Sequence, residues 1–360
     1  MIIAEVCNYA PDYAGNFMVS LKCLEKVALE QNKSNEMIYV FPSSAREKKW
    51  VLDLKKKNKV YFISNGRIKG NIELLKICKE NHVDIIHTHF YGLLTGCLVG
   101  WFTKTKVVHH FHNTWDKQGI FKHYLSLFLS TSVNKLVGCS KAVFDTLMDA
   151  GFPSKKASYI TNRIDFHRLD MSNNPNPFSN EKNHILILGT DFYRKGVDCA
   201  LNAIKPIAEK YNLCLQIVTH SPQETKDLVV KEMGKLPHWV NICNPTETIG
   251  DYYRASKIFL SPSVAEGLCY AIPEAIYCNC MVLKTDIPAM TYGLQHEYVI
   301  TLTNREELGN KIKDFMENEN RYTKEISLLK KQVVEEYGIE KWGKEVLDLY
   351  TTIFSYTFIL

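Results

Sequence analysis

A chain of 360 residues, 46% hydrophobic and 23% charged, has the composition of a globular protein long enough for two domains with separate cores. Its 44 basic and 39 acidic side chains are interleaved, so the net charge of +5 gives no argument for nucleic-acid binding. Eleven irregularly spaced cysteines exclude a disulfide framework and fit a reducing cytosol, and Met1 to Val6 lacks the basic start of a secretory signal.

The first alternating run, Ile2 to Cys7, predicts a strand, then a loop at 8–16 and a helix from Phe17 to Gln31. A loop at the carboxyl end of a first strand faces a ligand cleft, so Gly15 and Asn16 serve either substrate contact or plain turn chemistry. A strand at Met37 to Phe41 precedes the basic segment Arg46 to Lys59. Its lysines alternate with Trp50, Val51, Leu52 and Leu54, which suits either a solvated helix with one core face or contact with an anionic membrane. The longest apolar run, Phe90 to Thr103, holds 14 residues broken by three glycines and is too short to cross a bilayer.

Five histidines fall at the ends of two predicted strands: His87, His89, His109, His110 and His112. Alternation sends His110 and His112 to one side and His109 to the other, which argues against the converging ligands that zinc requires. His112 is best placed for a hydrogen bond to a sugar, and the others read as packed structural residues. Cys278 and Cys280 lack the partners of a metal site and read as packing. Ser140 is an N-cap for the helix that follows. The polar stretch 167–183 reads as a linker, giving domains at 1–166 and 184–337 and a helix and tail at 338–360 that packs back on the first domain or touches membrane.

In the second half His184 to Gly189 is a buried strand, and Arg194, Lys195 and Gly196 lie at its strand-to-helix mouth beside Gly189. Two adjacent cations before a helix suit a diphosphate. Lys257 to Leu260 predicts another strand, and the loop beyond it carries Glu266, Gly267, Leu268 and Cys269 before a helix that opens around Pro273 and Glu274. That pairing of an anion site with carboxylate acceptors suits a nucleotide sugar. Strands and helices alternate in both halves, so the fold class is α/β, two Rossmann-like doubly wound domains facing each other across a cleft.

These residues resemble the GT-B glycosyltransferases, specifically the retaining family 4 group that builds bacterial surface polysaccharides. The resemblance rests on Asp84 to His89, Val107 to His112, Val137 to Ser140, Asn162 to Asp165, Gly189 with Lys195 and Gly196, and Ser261 through Glu274. It implies that Glu274 binds the ribose hydroxyls, Glu266 lies near the donor sugar, Lys195 binds the diphosphate and His112 contacts the sugar. Thr190 stands where the family usually has arginine, with Arg194 supplying the charge instead, and Cys269 stands where glycine is frequent.

The resemblance further implies transfer from a nucleoside-diphosphate sugar, UDP in the simplest case, to a glycan or lipid-linked glycan. No cofactor or metal is expected, in keeping with the lack of an Asp-x-Asp motif. The expected location is the cytoplasm, peripheral on the inner face of the membrane. The alternatives are a nucleotide-sugar 2-epimerase of the same architecture and a non-catalytic nucleotide-sugar-binding protein.

Overall fold

The computed structural model describes residues 1–12, 14–115, 119–178, 181–290, 298–300 and 304–355. The chain divides into two compact units, Met1–Arg163 with Ile339–Leu360, and Ile164–Gly338.

Unit 1 runs β1 (Ile2–Cys7), α1 (Gly15–Gln31), β2 (Glu36–Pro42), α2 (Lys49–Lys55), β3 (Lys59–Ile63), α3 (Arg67–Glu80) and β4 (Ile85–His89). It continues with α4 (Leu93–Phe102), β5 (Lys106–Phe111), α5 (Ile120–Ser130), β6 (Lys135–Gly138), α6 (Lys141–Asp149) and β7 (Ala157–Tyr159). The strands form one parallel sheet in the order β3-β2-β1-β4-β5-β6-β7. The order reverses at β1, and right-handed crossovers therefore put α1 and α2 on one face and α3 to α6 on the other.

Strand interiors such as Ile3, Ala4 and Val6 are buried because both faces are covered. Ser140 caps α6 by accepting from the Val143 amide, as its side-chain chemistry predicts. In the basic segment, Trp50, Val51 and Leu54 are buried in the core of unit 1, and Leu52 is the apolar side chain left outside.

Unit 2 begins with β8 (Asn183–Leu188), α7 (Val197–Ile204), β9 (Leu213–Val218), α8 (Pro222–Met233), β10 (Val240–Cys243) and α9 (Ile249–Ala255). There follow β11 (Ser256–Ser261), α10 (Ala271–Tyr277), β12 (Met281–Thr285), β13 (Val299–Ile300), α11 (Arg305–Glu317) and α12 (Glu319–Tyr337). Its parallel sheet has the order β10-β9-β8-β11-β12-β13, with the reversal at β8 and β11. The last helix, α13 (Ile339–Ser355), packs on α1 in unit 1 and buries Trp342, Val346, Leu347 and Tyr350. Residues 356–360 of the apolar tail lie outside the described residues.

The expectation of a linker at 167–183 is corrected. The short turn Phe166–Asp170 and the residues after it belong to unit 2, where Phe166, Leu169 and Phe178 are buried. Gly250 lies so close to this segment that a Cβ there would stand 2.0 Å from the Leu169 carbonyl oxygen. Helix α7 ends at Ile204 and gives way to turns before β9.

Candidate functional site

The chemistry-bearing residues of unit 2 gather at the carboxyl ends of β8 and β11, which are neighbours in the sheet. Gly189 ends β8 without a side chain because a Cβ there would meet Ile217 at 2.7 Å. At Gly196 the backbone is left-handed, φ +69, and a Cβ would stand 2.2 Å from the Pro262 carbonyl oxygen. The glycine therefore lets the two loops interlock. They are joined further by the Val264 amide, which donates to the Arg194 carbonyl at 2.9 Å.

Charge follows that backbone contact. The Lys195 ammonium pairs with the Glu266 carboxylate. Arg194 donates to Asp191 at 3.1 Å and to the Ala265 carbonyl at 3.3 Å, and lies 3.7 Å from Glu266. Leu268 packs on the core beside these groups, and Gly267 separates it from Glu266. Cys269 is buried with its sulfur 3.5 Å from the Ser261 hydroxyl, and burial raises its thiol above the usual range. Cys269 is not among the residues with a left-handed backbone, which is why a cysteine fits there.

Glu274 sits in the first turn of α10, one residue after Pro273. It is buried, and its two oxygens accept separately, one from Arg168 and one from the Tyr253 hydroxyl at 3.1 Å. Burial, then the Glu274 charge, keeps Tyr253 protonated. The sequence pattern missed Arg168 and Tyr253, because each partner is distant along the chain. It also missed the Ser263 hydroxyl, which is buried in the same loop with no hydrogen-bond partner among the described residues.

In unit 1 the parallel register sets His89 beside His110 and Glu5 beside His87. Imidazoles from β4 and β5 thus share one face, while His109 turns to Thr88 on the other at 2.7 Å. The expectation that the histidines diverge is corrected here. Alternation within one strand holds, but neighbouring strands bring His87, His89 and His110 together, with one ring nitrogen from each within 4.8 Å of the others. A metal ion would have to displace hydrogen bonds that now occupy most of these nitrogens.

Those hydrogen bonds fix the protons. Burial raises the Glu5 carboxyl, but His87 and His89 outweigh it and hold Glu5 ionised, so it only accepts. Tyr350 donates to Glu5 Oε1 at 2.7 Å and His89 Nε2 donates to Oε2 at 2.9 Å. Burial, with His87 alongside, lowers His89 to about 4, so at neutral pH it carries one proton. Its Nδ1 must then accept from His112 Nε2, 3.0 Å away. His112, held neutral by burial and its neighbours, is left with Nδ1 as an acceptor.

On the other branch His87 Nδ1 donates to Tyr350, and His87 Nε2 lies 3.3 Å from His110 Nδ1. The chain ends at His110 Nε2, which is buried without a hydrogen-bond partner among the described residues.

Phe90 adds a constraint that no sequence pattern announced. Its φ of 60 is unusual for a bulky residue, and its ring stacks on His112 with centroids 4.0 Å apart. Gly15, at φ +61, opens α1 beside the Tyr9 hydroxyl. Asn16 is buried and donates to the Arg163 carbonyl at 2.6 Å, while Arg163 pairs with Glu345 of α13 at 2.9 Å. Gly15 and Asn16 thus anchor the start of α1.

Comparison with known proteins gives a consistent result. Residues 182–318 match the family model described as Glycosyl transferases group 1, and residues 41–168 match Glycosyltransferase Family 4. The capsular polysaccharide biosynthesis glycosyltransferase CapH of Staphylococcus aureus is 20% identical over 242 residues, 63% of this chain and 66% of CapH. An uncharacterized glycosyltransferase of Haemophilus influenzae is 26% identical over 166 residues, 45% of this chain and 47% of that protein. The chain thus matches less than two thirds of the length of either curated relative.

Among solved structures, HepE of Anabaena in complex with UDP superposes with a TM-score of 0.79 at 15% identity, covering 98% of this chain and 100% of HepE. HepE has also been solved with UDP-glucose. A glycosyltransferase from Rickettsia africae gives a TM-score of 0.76 at 17% identity, covering 98% of each chain. At such identities the likeness shows the fold.

Proposed function

We propose that this chain is a GT-B glycosyltransferase of the family 4 type, as the family models over its two halves and the likeness to CapH support, and that it moves a sugar, with retention, from a UDP-sugar to a lipid-linked glycan. The observation that carries this reading is the interlock of the two strand-end loops of unit 2. Gly196 against Pro262 holds Arg194 and Lys195 beside Glu266, in the same loop-helix junction as Glu274.

A carboxylate has about four acceptor positions. Arg168 and Tyr253 occupy one on each oxygen of Glu274, which leaves one on each for the two adjacent ribose hydroxyls. The donor diphosphate competes with Glu266 for Lys195, and the negative charge that gathers on it as the glycosidic bond breaks is stabilised by Lys195 and Arg194. These fixed cations supply the charge a divalent ion would otherwise bring, so transfer is metal-independent. Retention follows front-face attack in which the departing phosphate takes the acceptor's proton. His112 positions the sugar by accepting a hydroxyl hydrogen at Nδ1. CapH, named for capsular polysaccharide biosynthesis, supports a surface-polysaccharide acceptor, and with a lipid-linked acceptor the reading includes a peripheral place on the inner face of the membrane.

The test is incubation with a panel of nucleotide sugars, with and without membrane glycolipid, followed by mass spectrometry of nucleotide and glycan. Acceptor-dependent release of UDP with a retained anomeric linkage is expected. Donor interconversion without acceptor would make the protein a 2-epimerase instead, and binding without turnover would make it a non-catalytic receptor.

A further inference from the structure

Three neighbouring helices of unit 1 turn apolar side chains outward. On α3 these are Ile68 and Ile72, 80% and 63% exposed. On α4 they are Leu94, Trp101 and Phe102. On α5 they are Ile120, Phe121, Tyr124, Leu125 and Phe128, with Phe121 82% exposed. On α3 and α5 the spacing of three to four residues makes a stripe, and on α4 Leu98 of the same face bridges Leu94 to Trp101 and Phe102. The opposite sides of the same helices, at Leu74, Leu93 and Leu129, already bury the contacts the core needs.

Contacts of α4 with both α3 and α5 make the stripes adjoin, and between α3 and α4 lies an apolar groove of about 380 Å³ floored by Leu75 and Leu98. Monomeric proteins rarely leave so large an apolar face in water.

The charges around this face name its occupant. α4 carries no charged residue, and α5 carries Lys122 and no acid. Arg67, Lys69, Lys76 and Lys104 are exposed at the margins. Of the two acids on α3, Glu73 is held by the Ser64 amide and hydroxyl, and Glu80 lies 3.6 Å from Lys76. A rim of cations around aromatic and aliphatic side chains is the complement of an anionic lipid surface. Among the described residues no helix is long and apolar enough to cross a membrane, so such a face lies on the bilayer rather than through it.

We propose that the outward face of α3, α4 and α5 docks on an anionic bilayer leaflet, with Phe121, Phe128 and Trp101 in the headgroup region. The proposal rests on the peripheral-membrane reading above and identifies its surface. The basic segment 46–59 is the poorer candidate, because Trp50, Val51 and Leu54 are inside the protein and leave charge without apolar area.

The test is flotation of the full chain with phosphatidylcholine vesicles, alone or mixed with phosphatidylglycerol. Binding is expected with the mixed vesicles and to weaken with salt. The double variant Phe121→Glu, Phe128→Glu should weaken it about tenfold or more. The variant Lys55→Gln, Lys56→Gln should bind like the unaltered chain. Both pairs are exposed or at a helix end, and thermal melts check that the fold is kept. Independently, lipids brominated near the headgroup should quench tryptophan fluorescence, and Trp101→Phe should remove most of that quenching.

Wild-type vesicle binding by the glutamate variant, quenching unchanged by Trp101→Phe, or a chain that ignores anionic vesicles would each overturn the proposal. So would a self-associating chain that the glutamate variant makes monomeric without loss of lipid binding. The nucleotide-sugar panel is scored without vesicles, so failure of the donor reading and failure of this surface are read separately.

Discussion

The two units solve the same problem, holding polar groups at the carboxyl ends of parallel strands, in opposite ways. In unit 1 the groups sit on the strands themselves, and a chain of buried imidazoles surrounds one buried carboxylate. In unit 2 they sit on loops, and full charges pair across the gap between β8 and β11. Strand-borne groups are desolvated and keep one arrangement, so they orient. The loop-borne cations keep part of their surface in water, Arg194 at 41% and Lys195 at 17%, so an anionic ligand can compete with Glu266 for them. Under the proposed function, the difference would give positioning to unit 1 and charge stabilisation to unit 2.

Acid should separate the units most strongly. His89 and His109 have folded pKa values of about 4 and about 3, and His110 lies well below its ordinary value, in each case chiefly through burial. In the unfolded chain these groups take up protons near pH 6.5. The unfolded state thus binds more protons between about pH 6.5 and 3, and stability is full above that window and falls as the pH drops through it. Each proton is worth about 1.4 kcal/mol per pH unit, so three reach several kcal/mol, comparable with the stability of a whole domain. Glu5, held low, adds a further loss below its unfolded value. Denaturant melts of a Trp239→Phe variant, which retains the tryptophans of unit 1, should lose stability steeply on acidification. A flat profile would break the comparison.

Lys195→Ala comes next. It removes one of the two cations beside Glu266, and turnover with donor and acceptor should fall about a hundred- to a thousandfold. Melting of the protein should fall as well, since the side chains of the pair are only 17% and 8% exposed and Glu266 is left with Arg194 at 3.7 Å. Turnover at the unaltered rate would remove Lys195 from the site.

Smaller and more discriminating is a pair of glycine variants. A Cβ at Gly196 or Gly250 would stand 2.2 or 2.0 Å from a carbonyl oxygen, and each alanine should destabilise unit 2 by about 2–4 kcal/mol. Gly196→Ala forces the two loops apart, whereas Gly250→Ala displaces Leu169 beside Arg168, so Gly196→Ala should weaken UDP binding in calorimetry the more of the two. Equal loss of binding in both would mean that the interlock has no special part in holding the nucleotide.

Much of this was legible in the sequence, and what was not has common causes. Apolar runs and the glycines around Arg194 and Lys195 mark the strands and their mouths, because a strand's period and a tight turn are local properties. The pairing of Glu274 with Arg168 crosses 106 positions, and nothing in a short window points to it. The histidine cluster was half visible. Alternation separates His109 from His110, but the register that sets His89 beside His110 belongs to the sheet. The expected linker failed because Phe166, Leu169 and Phe178 anchor it at spacings that fit neither helix nor strand.

The smallest expected effect tests the proton assignment in unit 1. Tyr350→Phe keeps a ring to pack edge-on against His87, where the centroids are 5.6 Å apart, and removes only the hydroxyl. Glu5 then loses one of its donors and His87 Nδ1 loses its acceptor, a cost of about 1–3 kcal/mol in unfolding free energy. His89 still donates to the other oxygen of Glu5, so the direction of the bond to His112 should not change. Glu5→Gln should behave differently. An amide can offer His89 either a donor or an acceptor, which frees both imidazoles to exchange tautomers. Nitrogen chemical shifts of the ring atoms distinguish the cases. His112 should be protonated at Nε2 in the unaltered chain and in Tyr350→Phe, and should show mixed tautomers in Glu5→Gln. Protonation of His112 at Nδ1 in the unaltered chain would reverse the relay and remove the acceptor that unit 1 offers a sugar hydroxyl.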